Sequence, residues 1–110
     1  MKKFSILFLE EAYDFLNALD DKTREKIIYN IDKASVINDP ALFKKLMDEI
    51  WEFRTKYKNN QYRLLAFWDK RDKQDTLVVA THGIVKKTQK MPEKEIEKAE
   101  RLRQQYFDET

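Results

Sequence analysis

The sequence holds no cysteine, one glycine, two prolines and one histidine. The lack of cysteine excludes a disulfide framework, thiolate zinc sites and a cysteine nucleophile. It fits a reducing compartment, and a cytoplasmic location is expected. One glycine and two prolines leave no Gly-rich phosphate loop and no flexible linker. No stretch approaches the ~20 apolar residues that a membrane-spanning helix needs. The opening run Met1-Lys-Lys-Phe-Ser-Ile-Leu-Phe-Leu briefly resembles a signal peptide, but it is short, and Glu10, Glu11 and Asp14 end it. No membrane partner is therefore expected. His, Asp and Glu do not cluster at metal-ligand spacing, so a metal nuclease is the weakest reading, and no cofactor is expected. A chain of 110 residues can bury one core unaided, and a single domain over 1–110 is expected.

What is present is charge, unevenly placed. Formal net charge is only +2. Residues 1–49 carry 8 Lys/Arg against 10 Asp/Glu, residues 50–90 carry 10 against 4, and residues 91–110 carry 4 against 6. The basic excess thus sits in the middle of the chain, between slightly acidic flanks. Such asymmetry favours an acidic or nucleic-acid partner on one surface. A solvated lysine-rich sheet face is the plainer alternative.

The middle segment supplies the detail. From Ile50 to Tyr57 the residues alternate with period two, as a half-buried strand should. Trp51, Phe53, Thr55 and Tyr57 point one way; Arg54, Lys56 and Lys58 point the other. Asn59-Asn60 is expected to form a two-residue turn, since asparagine tolerates positive φ. That register sets Lys56 opposite Arg63, Lys58 opposite Gln61 and Tyr57 opposite Tyr62, with the two tyrosines on the core face. Like charges across a hairpin are unfavourable. A face carrying Arg54, Lys56, Lys58 and Arg63 points to an extended anion such as a polynucleotide backbone. Arg63 is expected at the surface, where its removal would open no core cavity.

Around this hairpin a coarse pattern emerges. Residues 3–9 read as a strand and 10–19 as a helix with Ala12, Phe15, Leu16 and Leu19 on one face. A second helix over about 22–37, capped by Asp21 or Thr23, buries Ile27, Ile28, Ile31 and Ala34. Asn38-Asp39-Pro40 ends it, and residues 41–46 read as a short helical turn. After the hairpin of 50–69 and a loop over 70–75, residues 76–85 form another strand. Pro92 opens a last helix, with Ile96, Ala99, Leu102, Tyr106 and Phe107 along one stripe. The expected fold is α+β, in the order β-α-α-β-β-β-α: a small, mainly antiparallel sheet with two N-terminal helices on one face and a C-terminal helix.

This order resembles the RelE/ParE superfamily of bacterial toxins, and more closely its HigB-type, phage-derived growth-inhibition members. The resemblance is carried by Trp51-Glu52-Phe53-Arg54, by Tyr62-Arg63-Leu64-Leu65 before an aromatic pair, and by the run from Thr81-His82-Gly83 through Lys86-Lys87-Thr88-Gln89-Lys90 to Pro92 and Ile96-Glu97-Lys98-Ala99. It implies the toxin of a two-component toxin–antitoxin pair, neutralised by an antitoxin, with a helix-turn-helix protein of the HigA kind as the expected partner. It also implies a metal-independent endoribonuclease that cleaves mRNA in the translating ribosome and contacts its rRNA. A minority branch of the superfamily inhibits DNA gyrase instead. A nonenzymatic RNA-binding module is a third possibility.

Cleavage without a metal uses the RNA 2′-hydroxyl as nucleophile. It needs a base, an acid, and cations for the charge that develops on phosphorus. Arg54 and Arg63 suit the last task, because guanidinium is planar, always charged and binds two phosphate oxygens at once. Their plainer role is an ion pair with Glu52, Asp69 or a helix residue. Lys86 and Lys87 end the last strand, where one of them can share the hairpin's face and bind phosphate or move a proton. His82, the only imidazole, is a candidate base; its apolar strand equally suits a hydrogen-bonded structural residue. Lys56 and Lys58 are candidate backbone contacts, as are Lys70, Arg71, Lys73 and Lys90 for RNA, though these last also suit a solvated surface.

Overall fold

The computed structural model describes residues 2–87 and 90–110. Thr88 and Gln89, within the lysine-rich run after the last strand, lie outside the described residues, as does Met1. The elements are β1 (Ser5–Phe8), α1 (Glu10–Asn17), α2 (Asp21–Val36), β2 (Phe43–Met47), β3 (Ile50–Tyr57), β4 (Asn60–Asp69), β5 (Leu77–Lys86) and α3 (Glu93–Glu109). They build a five-stranded sheet in the order β1-β5-β4-β3-β2. Only the β1–β5 pair is parallel. The α+β expectation holds, with one strand more than anticipated.

That extra strand replaces the helical turn expected over 41–46. Leu42, Phe43 and Leu46 have helix-like spacing, but tertiary packing decides the matter. As a strand, β2 pairs Phe43 with Phe53. The Phe43 ring then stacks on Phe53 at 4.2 Å and on Trp51 at 4.9 Å. Aromatic pairs in such contact stabilise beyond their buried area. Asp48, at φ 51°, turns the chain back into β3.

Helices α1 and α2 pack on one face of the sheet. The shared core holds Ala12, Leu16, Ile27, Ile31 and Ala34 from the helices, and Phe53, Tyr62, Leu64, Ala66, Val78 and Ala80 from the sheet. Ile28, expected inside, is 40% exposed, because α2 turns Ile27 and Ile31 inward. The cap of α2 is neither Asp21 nor Thr23 but Asp20, whose carboxylate accepts the Thr23 N–H at 2.8 Å. Helix α3 lies against the opposite face through Ile96, Ala99, Tyr106 and Phe107, packed with Ile50, Leu65, Phe67 and Val79. Its apolar stripe is thus spent on the sheet.

Two local features fix which residues share that second face. The hairpin turn consists of Lys58 and Asn59, at φ 49° and 67°, not Asn59-Asn60. Tyr57 therefore pairs with Asn60, Thr55 with Tyr62, Lys56 with Gln61 and Arg54 with Arg63. This register moves Lys58 off the face into the turn, keeps the face of the strand residues but changes their neighbours, and brings two arginines together beside Glu52. The second feature is a β-bulge. Leu65 pairs with His82 while Ala66 pairs with Ala80, so Thr81 is an extra residue. The bulge reverses the alternation of β5. Without it, His82, Ile84 and Lys86 would point toward α1 and α2. With it they join Glu52, Arg54 and Arg63, and Gly83 turns to α1. A Cβ on Gly83 would stand 2.3 Å from the Phe15 ring, so only glycine admits that helix.

Candidate functional site

Helix α3 covers its sheet face from Asp69 as far as His82, and the hairpin end lies beyond. Across β2 to β5 the register there sets Lys44 beside Glu52, Arg54 beside Arg63 and Ile84, and Lys56 beside Gln61 and Lys86. Alternation in three strands plus the bulge thus gathers Lys44, Arg54, Lys56, Arg63 and Lys86 on one face with a single strand carboxylate, Glu52, among them. Sequence reasoning set Arg54, Lys56, Lys58 and Arg63 on a common face and left open which of Lys86 and Lys87 shares it; the register puts Lys86 there. Sequence reasoning did not place Lys44 there, because that required β2 to be a strand.

The two arginines differ in depth. Arg63 is only 3% exposed, which overturns the expectation of a surface side chain. Its Nε stands 3.3 Å from Glu52 Oε1. Its Nη1 donates to the Tyr62 carbonyl at 3.1 Å and its Nη2 to Gln61 Oε1 at 2.7 Å. Burial pushes its pKa down from the ordinary value, Glu52 pulls it back, and Arg54 pushes it down again. Guanidinium remains charged under such conditions. Arg54, with its side chain 32% exposed, stands above with Nε 3.8 Å from Glu52 Oε2. Glu52 itself is 2% exposed. Two arginines directly opposite each other are tolerated because this carboxylate lies between them.

Lys86 completes the cluster. Burial comes first in lowering its pKa, followed by the positive charge of Arg63; Arg54 and Lys44 add to the effect, and Glu52 opposes it. These influences favour the neutral form of Lys86 relative to a solvated lysine. Lys87 follows directly, exposed and beyond the strand.

The other sequence candidates lie elsewhere. His82 is buried beneath α3. Its Nδ1 is 2.9 Å from Thr81 Oγ1 and its Nε2 is 3.1 Å from Glu95 Oε1. Burial lowers its pKa, against the Glu95 contact, which raises it. The ring thus bridges the bulge to the first turn of α3. Lys58 sits in the hairpin turn rather than on the cationic face, with Nζ 5.4 Å from the centre of the Tyr57 ring. Its charge helps to lower the Asp20 pKa, after the hydrogen bonds from Thr23. Lys70, Arg71 and Lys73 occupy the loop at the opposite end of β4. Lys70 lies 4.9 Å over the Trp68 ring. Arg71 grips Asp69 through Nε at 2.9 Å and Nη2 at 2.8 Å, and bonds Thr110 at 2.9 Å. Lys73 is exposed in the same loop, and Lys90 is exposed before α3.

A family comparison agrees with this architecture. The family model described as phage-derived protein Gp49-like (DUF891) matches residues 14–104. The chain belongs to this family. Its members are RelE/HigB-like toxins of toxin–antitoxin systems, so an antitoxin is the family's partner. The matched span contains β2 to β5 and so every residue of the cationic cluster. No curated protein matches the chain. Among the described residues no helix is long and apolar enough to cross a membrane.

Proposed function

We propose that this Gp49-like chain is a HigB-type toxin that cleaves mRNA within the translating ribosome, in the cytoplasm, and is silenced by a helix-turn-helix antitoxin. The observation that carries the reading is the convergence of Arg54, Arg63 and Lys86, flanked by Lys44 and Lys56, on the hairpin end of one sheet face. In this reading Arg54 touches the scissile phosphate through its terminal nitrogens. Arg63 raises the positive potential from beneath. Lys86, in its neutral form, takes the proton of the 2′-hydroxyl as that oxygen attacks phosphorus. The bond to the 5′-oxygen breaks, the oxygen takes a proton from water, and a 2′,3′-cyclic phosphate remains. The arginines stabilise the charge that develops on the phosphate oxygens. Lys44, Lys56 and Lys87 hold neighbouring phosphates, and the loop of Lys70, Arg71 and Lys73 reaches rRNA.

Ribosome dependence follows from the absence of an assigned acid in the cluster. Alone the site binds RNA but orients it poorly, and the ribosome fixes the in-line geometry. Primer extension on cellular mRNA after induction without antitoxin should show new 5′ ends inside translated frames. Purified protein should leave naked mRNA intact. Rapid, EDTA-resistant cutting of free RNA would remove the ribosome requirement. Intact mRNA accompanied by double-stranded DNA breaks would move the assignment to gyrase inhibition.

A further inference from the structure

Glu52 is an acidic residue at the centre of a site that needs positive charge. It is almost fully buried, and its two oxygens are divided between two arginines, Oε1 toward Arg63 Nε and Oε2 toward Arg54 Nε. Glu52 Oε1 and Arg63 Nε are both buried, and neither makes a hydrogen bond. The two atoms face each other at 3.3 Å as an ion pair without hydrogen-bond geometry, an uncommon arrangement for buried polar atoms that asks for a reason. The contact geometry supplies one. By drawing Arg54 through Nε, at 3.8 Å, the carboxylate leaves its Nη1 and Nη2 unpaired among the described residues, and these form the fork that matches a phosphate. From Arg63 it takes the one nitrogen that Tyr62 and Gln61 do not.

We propose that Glu52 is the positioning residue of the RNA-cleaving site: it fixes the Arg54 guanidinium with its phosphate-binding edge outward, and it sets the charge balance felt by Lys86. The inference rests on the nuclease reading above. The groups facing Lys86 are Arg63 and Glu52, then Arg54 and Lys44, and Glu52 is the only anion among them. Neutralising it should lower the Lys86 pKa further. It should also make the face more positive, so that RNA is held at least as tightly while an unanchored Arg54 serves the transition state less well. A residue that merely supports the fold would instead weaken binding and turnover together.

The test compares wild type, Glu52→Gln and Glu52→Asp in single-turnover cleavage on mRNA-programmed ribosomes across pH. Arg Nε–H NMR spectra of the free proteins accompany it. In Glu52→Gln the maximal rate should fall about 10²-fold, on the scale of losing one oriented donor. Its ribosome affinity should be unchanged or tighter, and the alkaline-rising limb of the rate profile should move to lower pH. The Arg54 Nε–H signal should broaden or average with solvent. Glu52→Asp keeps the charge but shortens the reach. It should lose rate with the pH limb left in place, and it covers the case in which Glu52→Gln does not fold. Wild-type rates with an unmoved limb in Glu52→Gln, or a wild-type rate in Glu52→Asp, would overturn the assignment. Inactive wild-type protein would instead refute the nuclease reading itself.

Discussion

At one end of the α3-facing sheet surface Arg71 meets Asp69; at the other, Arg54 and Arg63 meet Glu52. The first contact is balanced. Asp69 accepts Arg71 Nε and Nη2 and the Tyr106 hydroxyl at 2.8 to 2.9 Å. Arg71 also lies over the Phe107 ring at 4.8 Å. Hydrogen bonds from Arg71 first of all, then from Tyr106, hold the Asp69 pKa well below the usual carboxylate range. The second contact is unbalanced, with one carboxylate shared by two arginines at 3.3 and 3.8 Å and with Lys44 and Lys86 nearby. Similar chemistry closes the structure at one end and leaves positive charge in surplus at the other. Such a surplus suits an incoming anion, and on that ground the hairpin end is the working end of the proposed function.

Breaking the inner pair should have the largest effect. Arg63→Ala removes a buried cation and strands a buried Glu52, so unfolding by urea should show a loss of about 3–5 kcal/mol. A loss below 1 kcal/mol would mean that Arg63 is effectively solvated. Arg54→Ala tests the outer layer. The side chain is one-third exposed, so melting should change little, while single-turnover cleavage should fall by about 10²–10³. An Arg54 variant that cleaves at the wild-type rate removes it from the site.

The balanced end should respond in the opposite sense. Asp69→Asn loses charge-assisted hydrogen bonds, expected to cost about 1.5–3 kcal/mol of stability. Cleavage by the folded variant should remain at the wild-type rate. Asp69 has a folded pKa below its unfolded one, so its contribution is full above the unfolded value of ~3.9 and is lost as pH falls below it. The acid limb of the wild-type stability curve should therefore shrink in the variant. A rate defect in folded Asp69→Asn would show that this end also serves cleavage, through the hold on Arg71 or through α3.

The contrast between the ends also explains what the sequence made legible. Period-two alternation in 50–57 is a local signal, and it correctly separated Phe53 and Thr55 from Arg54 and Lys56. The apolar stripe of α3 was readable for the same reason. The expected helical turn at 41–46 failed because β2 exists through its pairing with β3, which no local pattern encodes. The hairpin turn slipped because Lys58 adopts positive φ against its propensity, and the reward is long-range: Arg54 and Arg63 flank Glu52. Arg63 looked exposed because strand alternation gives a side chain's direction, not what covers it. The bulge at Thr81 left no mark in composition, yet it decides that Lys86 and not Lys87 shares the cationic face. Glu52 was visible as a lone acid in a basic strand, and that oddity was the available signal for its central place.

His82 offers the smallest expected effect and the finest test of where the working end stops. It lies on the same face as the cluster, aligned with Glu52 and Leu65, but both ring nitrogens are occupied and the ring is 3% exposed. Burial keeps it neutral near pH 7. Nε2–H can donate to Glu95, while the Thr81 hydroxyl turns to Nδ1 or to the Leu65 carbonyl, which it reaches at 3.2 Å. Glutamine can retain one of these bonds, so His82→Gln should lose only about 1 kcal/mol and keep its cleavage rate within a few-fold. The pH dependence of stability gives the sharper readout. Because the folded pKa lies below the unfolded value of ~6.5, the unfolded chain binds more protons in that interval, and stability rises with pH through it. Wild-type protein should therefore lose stability on acidification below about pH 6.5, and His82→Gln should lose less. A drop in rate of about 10³ with ribosome binding intact, the scale of a lost general base, would instead extend the working end beneath α3 and make His82 part of the chemistry.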